Sequence, residues 1–341
     1  MKIGLIDADM MWRPRANGRR YGRTKADVYP NLALMKISAW HKERLDDVGW
    51  YNPMDGHYDT VYISKVFADT PVSGEVINAS RVVYGGSGFQ IELRDGKETW
   101  SADAPSGWPM KAWQHSLLLP DEIEHMMPDY SLYPMVKDTA YGFLTHGCPR
   151  RCSFCHVAAK EGCKSVKVAD LKEWWSGQRN IVLMDPNILA CPQWKNLLQQ
   201  LADSGAKVDI NQGIDARLMT VAKAKALSHV RLSTIHFAWD RYKDREKVLK
   251  GIKLFIEHYP RKLDKGHSVQ VFVLVNFDST WEEDLQRVYE LREIGAEAYI
   301  MIYAKQHAAP RYKSLQRWVN NRAIFHKVAT FEEYDRRKAK E

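Results

Sequence analysis

From about Ala140 onward, apolar runs alternate with longer segments of helical period. Strand candidates fall at Ala140–Leu144, Asn180–Met184, Lys207–Ile210, Arg231–Phe237, Val269–Val275 and Ala298–Tyr303. Helical segments lie between them at 169–177, 192–204, 217–228, 243–258 and 281–294, and Asp203-Ser-Gly205 and Gly295 stand where helices should stop. Such alternation dictates parallel pairing, because a strand that ends at one edge of a sheet must cross back through a helix before running alongside its neighbour. Six repeats are too regular for chance and too few to close an eight-strand barrel. The expected fold over 140–303 is therefore an open partial (β/α)6 TIM-type barrel. In such an architecture, the chemistry belongs at the carboxyl ends of the strands.

The first ~110 residues predict a separate Rossmann-like α/β domain. Lys2–Ile6 is apolar and bounded by Asp7 and Asp9, as a buried strand would be. Leu34, Ile37 and Leu45 recur at helical spacing, with Pro30 suited to the first turn. Short strands are expected at Val48–Tyr51, Thr60–Phe67 and Arg81–Tyr84. Gly85-Gly-Ser-Gly88 lacks the full context of a phosphate-binding glycine loop and reads as a tight turn. Residues 111–139 form a connector punctuated by prolines, whose aromatic residues, Trp113, Tyr130 and Tyr133, read as packed anchors, as does Trp108 just before it. Residues 304–341 form a basic C-terminal extension, and Tyr312–His326 is expected to pack as a helix against the open side of the barrel.

Directly after the first barrel strand stands Thr145-His-Gly-Cys-Pro-Arg-Arg-Cys-Ser-Phe-Cys-His156, which places Cys148, Cys152 and Cys155 in the spacing Cys-x3-Cys-x2-Cys. Three thiolates on one tight loop can hold three corners of a cubane iron–sulfur cluster, whereas electron-transfer clusters usually take four cysteines. The fourth iron would then be open to a small molecule. The alternative is zinc, with His156 or Cys163 as the fourth ligand, although zinc sites more often show two separated ligand pairs. Five cysteines in 341 residues, with no signal peptide, do not suggest a disulfide framework. Cys163 and Cys191 are too few for a second cluster.

The cysteine spacing, the aromatic Phe154 before the last cysteine and the position of the loop after the first strand resemble the radical S-adenosylmethionine (SAM) superfamily. The resemblance covers 140–303 and implies a [4Fe–4S] cluster on Cys148, Cys152 and Cys155, with SAM chelated at the open iron. It further implies reductive cleavage of SAM to a 5′-deoxyadenosyl radical, hydrogen abstraction from a substrate, and a flavodoxin- or ferredoxin-type electron donor. The N-terminal half resembles, more weakly, the domain that precedes the barrel in cobalamin-type radical SAM enzymes and methylthiotransferases. Residues 1–147 contain no cysteine for a second cluster, and Asp55-Gly-His57-Tyr-Asp-Thr60 is only a partial echo of the cobalamin fingerprint, so cobalamin is not expected.

The strand ends supply the cofactor-binding candidates. Asp185 and Asn187 stand where the family places a carboxylate for the SAM amino group, or they cap the next helix. Arg217 could fork onto the SAM carboxylate, and Asp215 or Gln212 could bind a ribose hydroxyl; alternatively, Asp215 and Arg217 pair with each other. His236, Asp240, Asn276 and Asp278 follow the fourth and fifth strands and are weaker candidates for SAM or substrate.

Charge bears on partners. The net charge is +8. Residues 10–25 carry Arg13, Arg15, Arg19, Arg20, Arg23 and Lys25 and no acid, and residues 303–341 carry ten basic and four acidic side chains. Two basic ends suit a polyanion such as tRNA or DNA, or they are solvated tails. No apolar run is long enough to span a membrane. The apolar start of the chain is ended by acids and reads as a strand rather than a signal peptide, which predicts a cytoplasmic location. Three readings follow: radical modification of a nucleotide in tRNA or DNA, radical tailoring of a small metabolite or peptide, or a zinc-stabilised nucleic-acid-binding module without catalysis.

Overall fold

The computed structural model describes residues 1–11, 29–72, 76–94, 97–100, 119–259 and 269–338, with the backbone alone at 92–94, 97–100 and 335–338. Arg13, Arg15, Arg19, Arg20, Arg23, Lys25, Trp108 and Trp113 lie outside the described residues. The chain is mixed α/β with parallel sheets. It divides into two compact units: one of residues 1–142, 152–160 and 169–179, the other of 143–151, 161–168 and 180–341.

The first unit is built on four parallel strands in the order β2-β1-β3-β4: β1 (Lys2–Asp7), β2 (Asp47–Trp50), β3 (Tyr58–Ser64) and β4 (Ala79–Gly85). Ile3, Leu5 and Ile6 in β1 are almost wholly buried, which is why this strand occupies the interior of the sheet. A short helix, α1 (Ala8–Met11), follows β1, and α2 (Leu32–Glu43) packs Leu34 and Ile37 onto Ile3 and Leu5. Asn31, not Pro30, starts α2: its Oδ1 accepts the Leu34 N–H at 3.2 Å. Leu45 does not extend the helix. It is 93% exposed and has a φ of 59°, in the left-handed region where helices end.

The glycine run is the tight turn that its composition predicts. A side chain at Gly86 would stand 2.3 Å from the Lys65 carbonyl, and one at Gly88 would stand 2.7 Å from the Phe67 carbonyl. An antiparallel pair, β5 (Ile91–Arg94) and β6 (Lys97–Trp100), follows. The later part of the connector packs into this unit: Leu119 and Ile123, the latter on α3 (Asp121–Glu124), join the core around Ile3 and Leu5. The buried Tyr133 hydroxyl donates to Asp7 Oδ2 at 2.7 Å, which bears out its reading as an anchor. Strand β7 (Thr139–Gly142) completes the unit's first segment.

In the second unit, the parallel strands β10 (Asn180–Leu183), β11 (Lys207–Ile214), β12 (Leu232–Ala238), β13 (Gln270–Val275) and β14 (Glu297–Ile302) stand side by side in chain order. Ahead of β10 come β8 (Thr145–His146) and β9 (Val166–Lys167), while α4 (Val157–Glu161), all but its last residue, belongs to the first unit. Between the strands run α5 (Trp194–Asp203), α6 (Val221–His229), α7 (Arg245–His258) and α8 (Trp281–Glu293). One set of strand side chains is fully apolar and buried: Ile210, Ile235, Phe237, Val271, Val273 and Ile300. The alternate set is mixed: Val182, Leu274 and Met301 are apolar, and Asp209, Thr234, His236 and Phe272 are half-buried. Asp209 lies opposite Thr234, Phe272 lies opposite Tyr299, and Tyr299 and Met301 are 39% and 46% exposed. Parallel sheets are normally buried on both faces. Here the second face is partly covered, from buried Leu274 through half-buried Asp209 and Phe272 to exposed Met301.

The extension adds three helices, α9 (Pro310–Asn320), α10 (Arg322–Lys327) and α11 (Phe331–Lys338), where one was expected. Side chains of α9 cover the backbone of the last strand. Asn320 Oδ1 accepts the Ile300 N–H at 2.7 Å, and Gln316 Nε2 donates to the Ile300 carbonyl at 2.9 Å. This satisfies groups that would otherwise leave an open sheet edge. Among the described residues, no helix is long and apolar enough to cross a membrane.

Candidate functional site

The start of the cysteine loop is held from several sides. β8 and β9 pair antiparallel, Thr145 with Lys167 and His146 with Val166. The Val168 N–H reaches the Leu144 carbonyl at 2.9 Å, and the Cys148 N–H reaches the Gly162 carbonyl at 3.1 Å. Gly147 is obligatory here. Its φ is +81°, and a Cβ would stand 2.1 Å from the Lys164 carbonyl. Further along, the Cys155 N–H closes a turn on the Cys152 carbonyl at 3.0 Å. None of the five cysteines is in a disulfide. Cys148, Cys152 and Phe154 are half-buried, Cys155 is exposed and Cys191 is buried.

The end of β10 braces the base of this loop. Asp185 is buried at 2% exposure; one carboxylate oxygen accepts the Leu144 N–H at 2.7 Å and the other the Thr145 hydroxyl at 2.6 Å. Burial pushes its pKa up to about 7 against the opposing pull of those hydrogen bonds. Asn187, at 3% exposure, accepts from Ser165 Oγ through its backbone carbonyl at 3.0 Å and points Nδ2 at Cys148 Sγ, 3.5 Å away. Its Oδ1 is buried without a partner, and it makes no side-chain cap on the following turn. Asp185 was expected to receive the SAM amino group or cap a helix. Its oxygens are instead engaged by the loop, because a buried carboxylate must find donors.

The end of β11 braces the other flank. The strand runs four residues past its expected end and carries a register irregularity between Ile210 and Ile214, so Gln212 sits on the strand and is exposed. Asp215 takes Arg217 Nε at 2.7 Å on one oxygen and Arg150 Nε on the other, and Arg217 continues to Asp244. The internal Asp215–Arg217 pair is thus present, and neither group is left to face a ligand alone. Arg150 lies inside the cysteine loop. Sequence reasoning missed its role, since the partner is 65 positions away.

The remaining strand-end candidates divide. His236 lies within β12, its Nδ1 against the Ile210 carbonyl at 3.0 Å and its ring stacked on Phe272 with centroids 4.9 Å apart. Asn276 takes a positive φ of 61° and ties β13 to β14 through the Tyr303 carbonyl at 2.9 Å. Asp278 faces Arg241 Nε at 3.6 Å. Asp240 is half-buried just past the end of β12, and burial pushes its pKa up to about 6, partly offset by Arg287 and Arg217. Arg287 itself is fully buried. It pairs with Asp284 and donates to the Trp239 carbonyl at 2.7 Å and the Leu274 carbonyl at 2.9 Å.

Among the described residues, no three His, Cys, Asp or Glu side chains are placed together as a metal would require. Three thiols lie on one stretch of eight residues, and a buried amide has its N–H on one of their sulfurs and its oxygen unpaired, but as placed these groups do not form a site that fits a cluster. No protein-family model and no curated protein matches the chain.

Proposed function

We propose that the chain is a radical SAM enzyme whose second unit is an open partial barrel. The single observation that carries this reading is the support of the Cys-x3-Cys-x2-Cys loop by the carboxyl ends of two neighbouring parallel strands, through Asp185 and Asn187 on one side and Asp215 on the other. Cys148, Cys152 and Cys155 would hold a [4Fe–4S] cluster, and Phe154 would shield it. If bound, such a cluster with SAM would supply the radical chemistry needed to abstract hydrogen from a substrate. The chain's own part is to fix the loop, to offer acceptors and to exclude water. Exposed Gln212 and half-buried Asp240 are the strand-end groups with capacity left for SAM or substrate. The proposed substrate is a nucleotide of tRNA or DNA, which the basic extension favours.

Anaerobically prepared protein should be brown, contain iron and sulfide, and form 5′-deoxyadenosine from SAM under reduction. Cys152→Ala should lose both iron and that product. A colourless protein that carries zinc would overturn the reading and leave the zinc-stabilised module.

A further inference from the structure

One imidazole of the second unit is held with a lone pair unused. His236 lies within β12 on the face of the sheet that carries Thr234, opposite the buried Ile235 and Phe237. Its Nδ1 stands 3.0 Å from the Ile210 carbonyl. A carbonyl oxygen only accepts, so Nδ1 carries the ring hydrogen and Nε2 is left as an acceptor. Among the described residues, Nε2 makes no hydrogen bond, and 13% of the side chain is exposed. His41 and His57 differ: each engages both ring nitrogens, His41 on Asp46 and Tyr62, His57 on Asn78 and Ser80. The surroundings of His236 also suit a charged ring. Asp209 Oδ1 on β11 lies 4.0 Å from Nδ1 and is fixed by the Thr234 hydroxyl; among the described residues, it is the one carboxylate within that distance of the ring. Gln270, opposite His236 on β13, carries no charge. Phe272 on the same strand stacks on the imidazole with centroids 4.9 Å apart, and an aromatic face attracts a cation. Tyr299 on β14 stands edge-on to Phe272.

We propose that His236 is a proton-accepting residue for a small molecule bound on this face of the sheet, one that presents an O–H or N–H group to Nε2. In that step, the O–H or N–H bond of the ligand breaks and its electron pair stays on the ligand oxygen or nitrogen. The proton bonds to Nε2, and nothing is oxidised or reduced. The resulting imidazolium lies between the Ile210 carbonyl, the Asp209 carboxylate and the Phe272 ring, each of which favours the charged form over the neutral one. The inference stands on the geometry of the second unit alone and needs no cluster.

Two measurements on the wild-type chain test it, so the outcome does not depend on a variant that folds. Long-range proton–nitrogen correlations on histidine-labelled protein report which ring nitrogen carries hydrogen, and His236→Gln serves only to assign the signal. Residue 236 should show hydrogen on Nδ1 and none on Nε2. The second probe is diethyl pyrocarbonate, which an open, unprotonated imidazole nitrogen attacks at a carbonyl carbon, with ethyl carbonate leaving as carbon dioxide and ethanol. Timed modification at about pH 8, where imidazoles are neutral, is followed by peptide mapping in a mass spectrometer. His236 should react about tenfold faster than His41 and His57, the protection that one net hydrogen bond on the attacking nitrogen confers. Hydrogen found on Nε2, or a rate at His236 no faster than at those two residues, would overturn the proposal. Neither readout involves iron, so this proposal and the cluster reading fail independently.

Discussion

Asp185 shows how one buried carboxylate ties a loop to a strand end and makes stability depend on pH. Its pKa stands near 7, against about 4 in an unfolded chain, because burial outweighs the donors on its oxygens. Between those values, the native state holds a proton that the unfolded state has lost. Stability attributable to this group is therefore full below about pH 4, falls as pH rises toward 7, and is flat above. Asp7, buried beside Tyr133, and Asp240 both stand near 6 and act in the same direction. Asp185→Asn keeps an acceptor for the Leu144 N–H and never ionises. Between about pH 5.5 and pH 8, wild type should lose on the order of 2 kcal/mol more than this variant. Thermal melts of both proteins at the two pH values test it, and parallel losses would contradict the assignment. Sequence alone placed Asp185 at a strand end but could not give its partners, because Leu144 and Thr145 lie about forty positions away.

Elements are held by polar side chains as well as by the apolar core. The Arg287–Asp284 pair on α8 is completely buried and reaches carbonyls at the ends of β12 and β13. Arg287→Met strands a buried Asp284 and should cost about 3–5 kcal/mol in urea unfolding. Adding Asp284→Leu should cost less than the sum of the two single substitutions, and strict additivity would mean that the pair is not coupled. Close backbone approach does similar work at α7, where a side chain on Gly251 would stand 1.9 Å from the Ala216 carbonyl. Gly251→Ala should destabilise by about 1–3 kcal/mol and loosen the Asp215–Arg217 turn; an unchanged urea midpoint would refute that close fit. At this scale, the sequence was most legible. Five parallel strands and the helices between them fall where apolar period placed them. The errors are local: the helix expected at 169–177 is only a 3-10 turn, Leu171–Glu173, closed by a capping box between Asp170 and Glu173; β11 runs on through a register irregularity into Gln212, and the extension breaks into three helices. In the last two places, hydrogen bonding between distant segments, rather than hydrophobic period, decides the boundary.

The whole molecule poses the question of its partner, and charge distribution is the feature that bears on it. Period and loop composition point to two α/β regions and a cysteine loop, but neither encodes a partner. The extension offers Lys313, Arg317 and Lys327 exposed on α9 and α10, while the apolar sides of these helices bury Leu315, Trp318 and Phe325. The cations therefore cost no packing to remove. If they contact phosphates, each accounts for about a 3.5-fold loss of affinity between about 50 and 200 mM salt, through counterion release to duplex nucleic acid. Replacing all three with alanine should flatten the plot of log affinity against log salt by about 2 to 3 units, with the melting temperature nearly unchanged. Filter binding with tRNA and with duplex DNA across that range measures the slope. A wild-type affinity independent of salt would show that the basic extension only solvates the chain, and would favour the proposal of a small metabolite or peptide over that of a nucleic acid.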